Sequence, residues 1–270
     1  MIEAAPAKVN LALHLRRRRD DGYHDLETVF IFTGFSDILR VSSEEGLNLV
    51  VTGPMAAAVG DGDNLVLRAA RALAAAAGCR ADAALTLEKH IPVAAGLGGG
   101  SADAAAALRL LNRFWRLDWP VERLLPIAAA LGADVPACLV GRTVAGAGRG
   151  EVLTPVDLDV AGTPILLVNP RVAVPTGPVF AHWDRIDRGP LDPAAWRTAR
   201  NDLAIPAIGI APVIADVLAA LAKTAATLVR MSGSGATCFA LYADTANRDS
   251  AATTLRTRHH GWWIEPAVIR

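Results

Sequence analysis

Apolar residues recur with period two near the start of the chain, where Val9, Leu11, Leu13 and Leu15 alternate with Asn10, Ala12 and His14. That period predicts a strand. It runs into the basic stretch Arg16 to Arg19, turns at Asp20-Asp21-Gly22 and returns from Tyr23 to Phe32, a hairpin whose solvated tip carries the arginines. Further strand is expected over 37–51 with a turn at 42–46. After the turn Gly60-Asp61-Gly62-Asp63 a helix is expected over 64–77, ended by Gly78. A short strand over 83–89 leads into Gly96-Leu97-Gly98-Gly99-Gly100. The alanine-rich run that follows, with Leu108, Leu111 and Trp115 at helical spacing, predicts a helix with Ser101 as N-cap and Asp103 in its first turn. Another helix over 121–131 stops at Gly132.

Beyond it, Gly146-Ala147-Gly148-Arg149-Gly150, with Pro155 shortly after, marks the expected domain boundary, giving 1–155 and 156–270. The second part reads as a buried strand over 163–168, helices over 193–199 and 212–222, strands over 228–232 and 237–242 around a second glycine turn, and a closing strand over 262–268. Strands and helices mix in both parts without strict βαβ alternation, and no internal repeat is visible. The expected class is α+β.

The glycine run is the strongest chemical signal. Glycines let backbone N–H groups turn around an anion, and the unpaired N–H groups and positive dipole end of the next helix point the same way. The run is not a flexible linker, because it sits between a strand and a strongly patterned helix. Glycine is never followed by lysine, so no Walker loop exists, and Ser101 and Asp103 stand where a G-x-G-x-x-G pattern needs its last glycine.

Composition narrows the ligand. With 270 residues and 52% hydrophobic content the chain has ample material for a core. Lys plus Arg and Asp plus Glu both number 27, which argues against nucleic acid as partner while leaving room for a local anionic ligand. Cys79, Cys138 and Cys238 form no C-x-x-C pair and the histidines no H-E-x-x-H, so neither a disulfide framework nor a structural metal is expected. No uncharged run is long enough to span a bilayer, and the basic run follows the apolar segment, the reverse of a secretory signal. The expected address is cytoplasmic, without a membrane. Two residues are candidates for transfer chemistry. Lys8 is a charge where the first strand turns apolar, and Asp134 lies between an apolar helix and an apolar segment that reads as strand. By pattern alone each reads more readily as structural, Lys8 as a strand end and Asp134 as a helix cap or turn residue.

The segments APAKVNLALHL, DGYHDLETVF, PVAAGLGGGSADAAAAL, LGADVPACL, RNDL and MSGSGATCF, in this order, resemble the GHMP kinase superfamily. Asp-Gly-Tyr-His and Gly-Ala-Asp-Val-Pro resemble the branch whose alcohol substrate, a methylerythritol of the non-mevalonate isoprenoid pathway, carries a cytidine diphosphate. Homoserine and mevalonate kinases, or a non-catalytic ATP-binding module, are the alternatives. The resemblance implies an N-terminal lobe like ribosomal S5 domain 2, a ferredoxin-like C-terminal lobe, ATP as co-substrate with Mg2+, and no obligate protein partner. It implies that Pro92, Val93, Ala94, Ala95, Gly96, Leu97, Gly98, Gly99, Gly100, Ser101 and Ala102 hold ATP, with Asn64, Leu65 and Lys89 on its adenine side and Ser101 reaching the metal. Asp134 would be the general base and Lys8 its catalytic partner. Asn10, Tyr23, His24 and Thr176 would line the substrate site, with Phe180 stacking on cytosine.

Overall fold

The computed structural model describes residues 1–60, 62 and 64–270. The turn expected at 60–63 therefore falls partly, at Asp61 and Asp63, outside the described residues. The chain forms two compact units that interleave in sequence. One comprises Met1–Lys8, Phe35–Val93 and Gly98–Arg142; the other comprises Val9–Gly34, Ala94–Leu97 and Thr143–Arg270. Strands β1 (Ile2–Arg18) and β2 (His24–Ser42) contribute to both.

In the first unit, β3 (Leu47–Thr52) runs parallel to β4 (Ala83–Glu88), pairing Leu47 with Ala83 and Thr52 with Glu88. The later part of β2 pairs antiparallel with β4 from Ile38 opposite Glu88 to Ser42 opposite Ala84. Along β4, Ala83, Leu85 and Leu87 are buried while the residues between them are not, as period-two patterning requires. Helix α1 (Leu65–Ala77) buries Val66, Ala69, Ala70, Leu73 and Ala74 on one face. Asn64 caps it by accepting the Val66 N–H at 2.9 Å, and Gly78 closes it at φ +66°. Helix α2 (Gly99–Phe114) packs against α1, α3 (Val121–Leu131) and α4 (Val135–Val140). Alanines from 102 to 107 make that close packing possible, all of them buried.

The second unit carries a four-stranded antiparallel sheet in the order β10 (Trp263–Val268), β7 (Pro164–Asn169), β9 (Cys238–Leu241), β8 (Leu228–Met231). In chain order these strands are fourth, first, third and second, with α5 (Thr176–Ala181), α6 (Ala204–Ile210) and α7 (Val213–Ala222) between the first two and α8 (Thr245–Arg258) between the last two. This is the split βαβ, ferredoxin-like arrangement. Every residue of β7 is buried. Its core gathers Leu166, Val168, Trp183, Leu203, Ile214 and Tyr242 with Leu13, Leu15 and Leu26 from the N-terminal hairpin. Here β5 (Val144–Ala147) pairs with β6 (Val152–Pro155) and with Thr28–Phe30 of β2, all antiparallel. The α+β class and both lobe types follow the sequence expectation.

Three local expectations are corrected. Helix α2 starts at Gly99 with Gly98 at the N-cap, so Ser101 is its third residue and Asp103, buried, lies beyond the first turn. The apolar run after Asp134 is helix α4 rather than strand. Five of its six residues are buried, so no polar face marks its period, and Pro136 presets helical φ in its first turn. The helix expected over 193–199 is only a 3₁₀ turn, Pro193–Ala195. The carbonyls of Trp196 and Arg197 instead accept Arg230 guanidinium bonds, at 3.1 and 3.2 Å. Among the described residues no helix is long and apolar enough to cross a membrane.

Candidate active site

Lys8, 3% exposed on β1, meets Asp134 at the residue before α4, with Nζ 3.0 Å from Oδ2. The carboxylate keeps about a third of its surface open, at 35%, so one partner is fixed and the other accessible. Gly98 makes this closure possible. A Cβ there would stand 2.9 Å from Lys8 Cε and 3.8 Å from Asp134 Oδ2, and φ of +62° independently favours glycine. The ion pair is thus packed against the N-terminus of α2, where unpaired N–H groups collect.

Arg109 on α2 holds the frame of this pair. It donates to Glu3 Oε1 at 2.6 Å, to the Cys138 carbonyl at 2.7 Å and to the Ala4 carbonyl at 3.1 Å, tying β1, α2 and α4. Burial, with Asp134 adding to it, pushes the Cys138 thiol up to about 12, so it is no nucleophile.

Beneath the first turn of α2, Lys89 is 3% exposed and donates to Asp37 and, at 2.7 Å, to Asp103. Asp37 also accepts the N–H groups of His90 and Ile91, at 2.5 and 2.9 Å. Burial pushes the Asp103 carboxyl up to about 8, against the pull of Lys89. Burial works against the Lys89 ammonium, but Asp103 and Asp37 outweigh it and hold its pKa above the usual lysine value. Lys89 Nζ lies 3.3 Å from where a Cβ on Gly99 would be. Its backbone is engaged too, donating to the Thr52 carbonyl and accepting from Met55. Asn64 and Leu65 form the capped start of α1, and Leu65 Cδ1 would contact a Cβ on Gly100 at 3.4 Å.

In the second unit, the residues from Ala94 to Leu97 are held by the second glycine turn. Ser232 Oγ accepts the Asn10 N–H at 3.1 Å and donates to the Gly96 carbonyl at 2.9 Å, while Thr237 N–H donates to the Ala95 carbonyl at 3.1 Å. A Cβ at Gly96 would meet the Ser232 carbonyl at 2.5 Å. Asn201 supports that turn by donating to the Met231 and Gly233 carbonyls, both at 2.8 Å. Asn10 is buried, its amide donating to Thr28 at 2.8 Å.

The same unit brings His24 and Phe180 together, ring centroids 5.2 Å apart, with Trp183 at 5.7 Å from His24. Burial, then Arg18 and Arg185, hold the His24 imidazole below the usual histidine pKa, hence neutral at pH 7. A neutral imidazole both donates and accepts. Tyr23 is 54% exposed, with the Arg149 guanidinium 4.9 Å over its ring. Thr176 Oγ1 lies 3.0 Å from Ser234 Oγ. Sequence reading missed Arg109, Trp183, Ser232 and Asn201; for the last two, the RNDL and MSGSGATCF segments were the available signal.

For a metal, the donor set is sparse. Among the described residues no three His, Cys, Asp or Glu groups converge, and Ser101 offers a half-buried hydroxyl in the first turn of α2. Such a set fits Mg2+ that arrives with nucleotide phosphates and keeps water, not a cation caged by protein.

The GHMP kinases N terminal domain matches residues 64–142 and the GHMP kinases C terminal domain residues 192–260. A 4-diphosphocytidyl-2-C-methyl-D-erythritol kinase of Rhizorhabdus wittichii is 54% identical over 99% of this chain and 94% of its own length. One from Paramagnetospirillum magneticum is 50% identical over 98% and 97%. A crystal structure of 4-(cytidine 5'-diphospho)-2C-methyl-D-erythritol kinase superposes with a TM-score of 0.84 at 35% identity, covering 99% of each chain. The chain belongs to the GHMP kinases and, among them, to the 4-diphosphocytidyl-2-C-methyl-D-erythritol kinase family.

Proposed function

We propose that this chain phosphorylates the 2-hydroxyl of 4-diphosphocytidyl-2-C-methyl-D-erythritol with ATP, Asp134 acting as general base and Lys8 as its partner. The observation that carries the chemistry is the 3.0 Å Lys8–Asp134 pair closed against Gly98 at the start of α2. The substrate hydroxyl oxygen attacks the γ-phosphorus, its proton passes to Asp134, and ADP leaves with the β–γ bridging oxygen, without a phosphoenzyme. Lys8 favours the developing alkoxide. Phosphoryl transfer asks mainly for positioning and charge neutralisation, and N–H groups in the 92–102 segment supply both toward the phosphates. Asn64 and Leu65 take the adenine side, with Lys89 behind the turn. Mg2+, held by Ser101 together with the phosphates, would neutralise their charge. In the second unit Phe180 and Tyr23 offer faces to cytosine, neutral His24 reads its edge, and Asn10 and Thr176 contact the remainder of the substrate. The cytoplasm fits a consumer of ATP whose three cysteines are all free thiols.

The test is ADP release by purified protein with ATP, magnesium and each alcohol in turn. Release with the cytidylyl substrate alone supports the reading; release with homoserine or mevalonate alone, or ATP binding without turnover on any alcohol, overturns it. Asp134→Asn is expected to retain ATP binding and lose about a hundredfold or more in kcat. Unchanged turnover would remove Asp134 as the base.

A further inference from the structure

The N-terminal hairpin and the 180–188 segment converge on His24. The Arg19 N–H bonds the Tyr23 carbonyl at 2.8 Å and Arg17 pairs with Asp25 at 2.5 Å, a register that sets Arg18 opposite His24, on the same face. Arg16, two residues back on that face, pairs with Asp187 at 3.0 Å and ties the second segment to the hairpin. Within that segment Phe180 and Trp183 pack on His24, and Arg185 follows in a turn where Asp184 accepts the Ile186 N–H at 3.0 Å.

The arginines here divide into two sets. Arg16, Arg17, Arg19 and Arg188 each pair with a carboxylate, whereas among the described residues Arg18 and Arg185 make no ion pair, and both are exposed. Two guanidiniums without anionic partners are thus carried by the hairpin and by the segment whose Phe180 and Trp183 pack on His24. Planar, always-charged guanidinium matches phosphate oxygens in a bidentate way.

We propose that Arg18 and Arg185 bind the diphosphate of the cytidine-diphosphate substrate and set the preference for a base carrying that diphosphate over the bare nucleoside. The assignment rests on the substrate reading above. Burial first, and then both guanidinium charges, hold the His24 imidazole below the usual histidine value, in keeping with this placement.

The experiment measures binding of cytidine, CMP and CDP to the full-length protein by calorimetry, for wild type and for the Arg18→Gln/Arg185→Gln double variant, at two salt concentrations. Wild type is expected to bind CDP at least about tenfold more tightly than cytidine, the worth of one charge-assisted contact. The double variant is expected to lose that margin while its affinity for cytidine and its KM for ATP stay unchanged. A margin that survives in the double variant overturns the proposal. Failure of wild type to bind any of the three ligands overturns the substrate reading itself and this assignment with it. A second readout needs no ligand: proton NMR titration of His24 should show its pKa rising in the double variant, and an unchanged value would separate the arginines from this site.

Discussion

At the scale of single residues, the site depends on where a side chain is missing. Gly98→Ala would place a methyl 2.9 Å from Lys8 Cε in a backbone conformation that L side chains rarely adopt. Strain at such a position costs about 1–2 kcal/mol, and Lys8 must shift from the oxygen it now holds at 3.0 Å. The expected result is a fall in kcat of about tenfold to a hundredfold, from misplacement of the reacting groups, with folding retained. Steady-state kinetics beside a thermal melt checks it, and a variant with unchanged kcat would mean that this packing does not govern the chemistry. Lys8 and Asp134 were legible in the sequence because each charge interrupts an apolar pattern. Ser232 was not, because its two partners, Asn10 and Gly96, lie 222 and 136 residues away along the chain. Lys89 was legible as a residue near the loop but not as a buried ammonium, since Asp37 is 52 residues distant and nothing local marks that contact.

Among elements, the frame around Asp134 depends on one guanidinium. Arg109 joins β1, α2 and α4 through Glu3 and the Ala4, Cys138 and Leu139 carbonyls. Arg109→Met keeps the aliphatic stem while removing these bonds and leaving Glu3 to Arg113, and is expected to cost about 2 kcal/mol, read from a denaturant midpoint. Glu3 adds a pH signature. Burial alone would raise its pKa, but hydrogen bonds from Arg109 and Arg113 outweigh that and hold it below the usual carboxylate value. Its contribution is therefore complete above the unfolded-state value and lost as pH falls through the lower, folded one. In Arg109→Met that acid-side loss should shrink; an identical pH profile in both proteins would show that the pair does not contribute. Helix α1 and strand β4 were readable because one buried face sets their period. Helix α8 was not: its buried residues are only Ala251, Ala252 and Leu255 in fourteen, too few for an apolar stripe. Helix α4 failed for the opposite reason, since burial on nearly every side erases the stripe.

For the whole molecule, the order of segments along the chain decides what can fold alone. The second unit draws Val9–Gly34 from the N-terminal region and joins it to Thr143–Arg270. Leu13, Leu15 and Leu26 sit in the same buried cluster as Leu166, Trp183 and Ile214. The backbone is joined as well: Leu13 N–H donates to the Arg200 carbonyl and Asp202 N–H to the Leu13 carbonyl, both at 2.9 Å, while Asp202 Oδ2 accepts the Leu15 N–H at 2.8 Å. A fragment of residues 156–270, cut at the boundary expected from the glycine-rich segment, retains the four strands of the ferredoxin-like sheet but lacks all of these partners. Three leucines removed from a core at about 1.5–3 kcal/mol each take away an amount comparable to the lower half of a typical stability of about 5–15 kcal/mol, before the missing backbone bonds are counted. The fragment is expected to show strand and helix by far-UV circular dichroism, weak near-UV signal and no cooperative melt. Adding a peptide of residues 9–34 should restore cooperativity, because it returns both the leucines and the Leu13–Asp202 bonds. If 156–270 alone melts cooperatively with amide protection in β7 and β9, the hairpin is dispensable to that core and the 155/156 cut stands as a true domain boundary.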